Sequence, residues 1–179
     1  YIEETGAAQH YRDARITTIY EGTTGIQAAD LVGRKLLRDG GQMVQELIGT
    51  MGQELESITA NANGAVKEVS VSATALVESL ARTTATLLDC ATRSPRAPYL
   101  NSFSYLMLWG VAAGGWQMAR AAAAAQRALD TGEGDEAFSR AKLLSCLYYA
   151  RQVLPHGEAY AQAVGAQGLP EQDLAELVS

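Results

Sequence analysis

Apolar residues in this chain recur at intervals of three and four, and almost nowhere at intervals of two, which restricts it to helices. Val44, Leu47, Ile48, Met51, Leu55 and Ile58 form one such stripe, opening after Gly40-Gly41. Asn61, Asn63 and Gly64 supply turn chemistry. Val69, Leu76, Val77, Leu80, Leu87, Leu88 and Ala91 then stripe a second helix ending near Ser94-Pro95. The β-branched run Val69-Ser70-Val71 leaves its first turn undefined.

Pro98 suits the first turn of a third helix, expected to be the longest, with Tyr99, Phe103, Leu106, Met107, Gly110, Val111, Gly114 and Met118 in register to about Leu129. Gly110 and Gly114 lie one turn apart and together read as a strip that a neighbouring helix approaches closely. Asp135 can cap a fourth helix that carries Phe138, Ala141, Leu144, Leu147 and Tyr148 inward and breaks at Pro155. Short helical segments are expected beyond it, the last from near Pro170. The fold class is therefore all-α, and residues 41–155 are expected to form an antiparallel four-helix bundle.

Residues before Gly40 differ in kind. Short helices over 7–15 and 26–37 flank a non-periodic connection, 17–25, the natural place for chemistry. The boundary expected between units falls at residues 40/41, giving segments 1–40 and 41–179. The chain starts at Tyr1 and enters patterned sequence at once, as a piece of a longer polypeptide would.

Composition narrows the function classes. Fourteen Lys and Arg against twenty Asp and Glu give a net charge of −6, which disfavours a general nucleic-acid-binding surface. The most apolar run, 105–125, is interrupted by Gly110, Gly114, Gly115, Gln117 and Arg120, so no membrane span is expected. Two cysteines, Cys90 and Cys146, make no disulfide framework, and both read as small hydrophobes of a protein in the reducing cytoplasm. His10 and His156 have no second ligand at helical spacing, so no metal site is expected. Trp109 and Trp116, seven apart, read as packing against a neighbouring helix or subunit.

The connection itself reads Ile19-Tyr20-Glu21-Gly22-Thr23-Thr24-Gly25, preceded by Arg12-Asp13-Ala14-Arg15-Ile16. With these two elements, the run 1–37 closely resembles the end of the flavin-dependent acyl-CoA dehydrogenases. The later runs Pro98-Tyr99-Leu100 and 108–121 resemble the additional C-terminal helical domain of the subgroup that includes the 3-methylmercaptopropionyl-CoA dehydrogenases. Segment 1–40 then corresponds to the end of the catalytic helical domain, and 41–179 to the additional bundle.

The resemblance implies α,β-dehydrogenation of an acyl-CoA thioester, with Glu21 as the base for the α-proton and the β-hydrogen leaving as hydride to FAD. By the same resemblance Gly22 lies against the substrate, and Thr23, Thr24 and Gly25 lie along the cofactor. Many relatives carry a polar amide side chain where this chain has Gly25. Burial between flavin and substrate would raise the pKa of a carboxylate toward the working pH, and a glycine beside it lets the backbone approach the thioester. Taken without the resemblance, a glutamate before glycine is ordinary solvated surface, and Thr23 is a plain helix cap. The run of Arg12, Asp13 and Arg15 reads as an ion-pair set rather than a coenzyme clamp, and Tyr20 as packing beside the base. The family further implies an electron-transferring flavoprotein as acceptor, a homo-oligomer, and a piece that is inactive alone. A non-catalytic helical module for subunit contact or for capping the catalytic core is the competing expectation.

Overall fold

A computed structural model describes residues 4, 6–16 and 23–166, and among them every regular element is helical. The order is α1 (Ala7–Ile16), α2 (Thr24–Asp30) running on into a π-helical stretch (Leu31–Leu37), α3 (Gln42–Ala60), α4 (Gly64–Arg93) and the short α5 (Ala97–Leu100). Then come α6 (Ser102–Thr131), α7 (Glu136–Tyr148), a second π-helical stretch (Tyr149–Val153) and α8 (Leu154–Gly165). The expectation of a helix near Pro170 falls outside the described residues.

Helices α4 and α6 form the central pair, and the reason is visible in their spacing. Buried Val66, Val69, Ala73, Leu76, Leu80, Thr83 and Leu87 on α4 alternate by three and four. Tyr105, Leu108, Ala112, Gly115, Ala119 and Ala122 do the same on α6. That spacing keeps one seam facing one partner along the whole length of each helix. On one side α3 packs on both through Val44, Ile48, Met51 and Leu55. The α7–α8 run also packs on both, while the π stretch after α2 touches α3, α4 and α6. The four-helix bundle expected from the pattern is present, with α2 and its π stretch as an added layer.

Buried hydroxyls along the seam are satisfied within it. Thr83 Oγ1 donates to the carbonyl of Ser79 at 2.7 Å and Thr84 Oγ1 to that of Leu80 at 2.8 Å. Thr84 Oγ1 and the Tyr105 hydroxyl lie 2.8 Å apart, joining α4 to α6, and burial raises the Tyr105 pKa. Such buried bonds add little net energy, but losing one partner strands the other at a cost of ~1–3 kcal/mol.

Several details differ from the sequence expectation. Helix α6 is not the longest, because α4 also spans 30 residues, its first turn starting at Gly64 and running straight through Val69-Ser70-Val71. Pro98 opens the separate α5 rather than α6. Gly110 faces open space, whereas Gly114 lies under the Tyr149 ring and Gly115 against Leu154. The close-approach strip is therefore Gly114-Gly115, and Gly110 is not part of it. A helix turns 100° per residue, so Gly110 and Gly114 are ~40° apart, enough to separate the rim of a contact from its floor.

The fourth helix departs most. Asp135 caps it as expected, its Oδ1 accepting from Ala137 N at 2.8 Å and Phe138 N at 3.1 Å. Yet Phe138, Ala141, Leu144 and Tyr148 point outward; Ser139, Cys146 and Ala150 face the core, with Leu143 and Leu147 half-buried. Neither does Pro155 break the run, since the π stretch precedes it and α8 follows at once. Leu47 on α3, also expected inside, is exposed. As expected, Trp116 packs across helices: its Nε1 donates to Glu54 Oε2 on α3 at 2.7 Å, and Arg120 stacks on its ring 5.2 Å from the centroid. Trp109 stands edge-on to Tyr105 within α6, and its buried indole N–H has no hydrogen-bond partner.

Two substitutions separate the tight helix contacts from the open one. A Cβ on Gly114 would overlap the Tyr149 hydroxyl and a Cβ on Gly110 would meet nothing. Gly114→Leu is therefore expected to lower stability by ~1–3 kcal/mol, while Gly110→Ala raises it by up to ~1 kcal/mol. Thermal melting of the two variants beside the parent checks both signs.

Candidate functional site

The connection before α2 is where the sequence places chemistry, and the structure shows how its far end is held. Ala28, Val32 and Leu36 are completely buried, on the α2 helix and the π stretch that continues it. Their spacing of four is one helical face, and that face is the one set onto the bundle. Tyr99 of α5 lies over Gly33, so closely that a Cβ there would come within 2.6 Å of its hydroxyl. At the other end of the π stretch Asp39 receives the N–H groups of Gly41 at 3.0 Å and Met43 at 3.1 Å, which lower its pKa. Gly41 there has φ +84° and packs against Leu88 and Leu36, a position that only glycine takes without strain. The start of α2 is thus a fixed point on the bundle.

At that start Thr23 is extended, with φ −76° and ψ 160°, and its Oγ1 accepts from Ile26 N at 3.4 Å. The cap reading of Thr23 is correct. It does not exclude a second bond from the same hydroxyl, which keeps its proton to donate. Thr24 and Gly25 form the first turn and are exposed, and Gly25 has only Thr23 Oγ1 near its Cβ direction, at 3.9 Å. The structure thus brings Thr23, Thr24 and Gly25 together on one open surface, beside Ile26, which is 60% exposed. Glu21 and Gly22, with Tyr20, lie outside the described residues.

On α1, Gln9 Nε2 donates to Asp13 at 2.8 Å and Arg12 donates to Gln9 Oε1 at 3.4 Å. Asp13 thus meets a glutamine rather than an arginine in that contact. Elsewhere, a groove of about 350 Å³ opens between the α3–α4 turn and the end of α6, lined by Asn61, Asn63, Gln126, Arg127 and Asp130. It shares no residue with the α2 start. Among the described residues no three His, Cys, Asp or Glu are grouped to hold a metal ion, and no helix is long and apolar enough to cross a membrane. Both thiols are unbridged, and burial raises the pKa of Cys146.

Comparison with known proteins bears on both segments. Residues 42–170 match the family described as acetyl-CoA dehydrogenase C-terminal like. Over 157 residues the chain is 43% identical to the 3-methylmercaptopropionyl-CoA dehydrogenase of Ruegeria pomeroyi, covering 86% of this chain and 26% of that protein. It is 34% identical over 163 residues to the broad-specificity linear acyl-CoA dehydrogenase FadE5 of Mycobacterium tuberculosis, covering 87% and 26%. A shorter match, 56% identical over 36 residues, is to the mitochondrial short-chain specific acyl-CoA dehydrogenase of Homo sapiens, covering 20% and 9%. The chain spans about a quarter of the length of the first two.

The Thr23 cap gives a direct check on the geometry of this turn. Its bond is long and exposed, so Thr23→Ala is expected at the low end of cap losses, ~0.5 kcal/mol, whereas Thr23→Ser is near neutral. Denaturant titration of the two variants measures the difference.

Proposed function

The chain belongs to the acetyl-CoA dehydrogenase C-terminal-like family, and from that premise we propose that it is the C-terminal part of an FAD-dependent acyl-CoA dehydrogenase acting in the cytoplasm. In this reading residues 1–40 end the catalytic helical domain and 41–179 are the additional bundle. What carries it is the run from Ile19 to Gly25 leading straight into a helix whose buried face, Ala28, Val32 and Leu36, is seated on the bundle. The helix that follows this run in sequence is thereby fixed to the bundle.

Glu21 is the group proposed to take the α-proton of the acyl-CoA thioester. A carboxylate does this when it stands within hydrogen-bond reach and away from bulk water, where loss of solvation raises its pKa toward the working pH. Its backbone N–H is placed by the same reading to bond the thioester carbonyl and steady the charge developing there. Gly22 leaves room for the substrate. Thr23, Thr24 and Gly25 form an exposed turn with donors facing outward, which suits one edge of a flavin site. They would hold the cofactor through hydroxyl and amide N–H groups, and FAD supplies the acceptor for the β-hydrogen. Electrons would then pass to an electron-transferring flavoprotein, and the working enzyme would be a homo-oligomer.

Glu21→Gln in the full-length enzyme keeps shape and hydrogen bonding but deletes basicity. FAD content and acyl-CoA affinity should hold while substrate-dependent flavin reduction slows by at least ~10²-fold. Rapid mixing followed by flavin absorbance reads this, and a near-parental rate would return Glu21 to a plain loop residue.

Among the described residues, those proposed to meet a flavin are that one turn, on a chain of net charge −6. The 179 residues by themselves are expected to be inactive and to leave flavin fluorescence unchanged on titration with FAD. Micromolar binding would show that the cradle is more complete than the turn suggests.

The competing role, an interaction module, draws on a different observation: the apolar stripe of α7 faces outward. The two roles are compatible, one for each segment.

A further inference from the structure

Helices α3 and α4 border an open groove of about 460 Å³. Its surface is short or apolar: Thr59 and Ala60 on α3, Val71, Thr74 and Ala75 on α4, with Val71 49% exposed. Both threonine hydroxyls are already engaged, Thr59 donating to the carbonyl of Leu55 at 2.8 Å and Thr74 to that of Ser70 at 2.9 Å. The charged residues that line the groove are carboxylates, Glu56 on one helix and Glu78 on the other. Both are exposed, and neither has a hydrogen bond or ion pair to a described residue. The nearest cations along α4 lie outside the lining: Lys67 is one turn before Val71, and Arg82 donates to Ser79 Oγ at 3.1 Å. Gly49 and Gly52 continue the α3 wall, since at 100° per residue they fall with Glu56, Thr59 and Ala60 in an arc of about 100°. A Cβ on either glycine would meet nothing. Glycine inside a helix is unfavourable beside alanine, and no described neighbour uses the room these two leave.

We propose that this groove receives a helix of a different protein, one that lays small and apolar side chains on the floor and carries Lys or Arg along both borders of that face. Two features select it. With both threonine protons engaged, the floor has no side-chain donor for the carbonyls of an extended segment, whereas a helix satisfies its own backbone. Open space at Gly49 and Gly52 lets that helix come close. The second feature is charge. An unpaired carboxylate on each wall is complementary to a cation on each border of the incoming face. A second copy of the chain, itself of net charge −6, is opposed by the same field. The groove shares no residue with the α2 turn, and the inference does not depend on the reaction proposed for the longer enzyme.

Fluorescence anisotropy tests it with a labelled helical peptide of about 16 residues, Leu and Ala on one face and Lys along both its borders. The peptide is titrated with the 179-residue chain and with the full-length enzyme. A dissociation constant of ~10–100 µM at low salt is expected for both. Glu56→Lys combined with Glu78→Lys should weaken it at least ~10-fold. Gly52→Leu should weaken it at least ~5-fold by filling the approach, while melting by circular dichroism stays at or above the parental midpoint. A peptide of the same composition with its lysines moved onto the apolar face should bind at least ~10-fold more weakly, which separates the groove from the general attraction of an acidic chain. Three results would each overturn the proposal. The substitutions or the rearranged peptide could leave binding unchanged. The full-length enzyme could refuse a peptide that the 179 residues accept, which would make the rest of its own polypeptide the occupant. Sedimentation velocity could show self-association of the parent chain that Glu78→Lys weakens, which would make a second copy the occupant.

Discussion

Pro155 sets the constraint around which the last third of the bundle is arranged. Its nitrogen carries no hydrogen, and its ring crowds the carbonyl four residues back, so an ordinary α-helix would kink or stop there. Here the chain widens first. Tyr149–Val153 is π-helical, the Leu154 N–H donates to the carbonyl of Tyr149, and the helix resumes with proline in its first turn. Because the run continues, Tyr149 lies over Gly114 with its hydroxyl donating to the Val111 carbonyl at 3.2 Å, Leu154 meets Gly115, and Gly157 meets Leu76. All three contacts use a glycine on one side. A widened turn displaces the helix by part of a residue, and only positions without a Cβ admit the resulting close approach.

The same run is fastened at its edges by charge. Arg151, inside the π stretch, makes a two-pronged contact with Glu68 of α4 at 2.6 and 2.8 Å, and its guanidinium lowers the pKa of that carboxyl. Ser79 donates to Glu158 at 3.0 Å one helix further along. The Arg151–Glu68 pair is largely exposed and adds little energy, while Ser79 is buried beneath its bond to Glu158. What they supply is register, fixing which turn of α8 sits beside which turn of α4. Rotation of α7 follows from that register, and with it the outward direction of Phe138, Leu144 and Tyr148.

Helix α2 and the π stretch that continues it carry three fully buried side chains, Ala28, Val32 and Leu36, which lock the start of α2 to the α4–α6 pair. Within that pair the buried polar groups Thr84 and Tyr105 bond to each other.

Helical class, the four long segments, the Asp135 cap and the Thr23 cap were all readable from residue order, because each rests on interactions within a few residues of itself. Spacing by three and four reports which side of a helix is apolar, and a cap reports where it begins. Residue order also carried the resemblance of Glu21 to a catalytic base, which belongs to chemistry and not to packing. It could not tell which apolar side of α7 turns inward, since Cys146, Ala150 and half-buried Leu143 and Leu147 compete with Phe138, Leu144 and Tyr148 for the core. Nor could it separate Gly110 from Gly114, or show that Pro155 would be passed. Those outcomes depend on the rotation of one helix against another, a quantity set by the sum of contacts across the bundle and written in no single stretch of sequence.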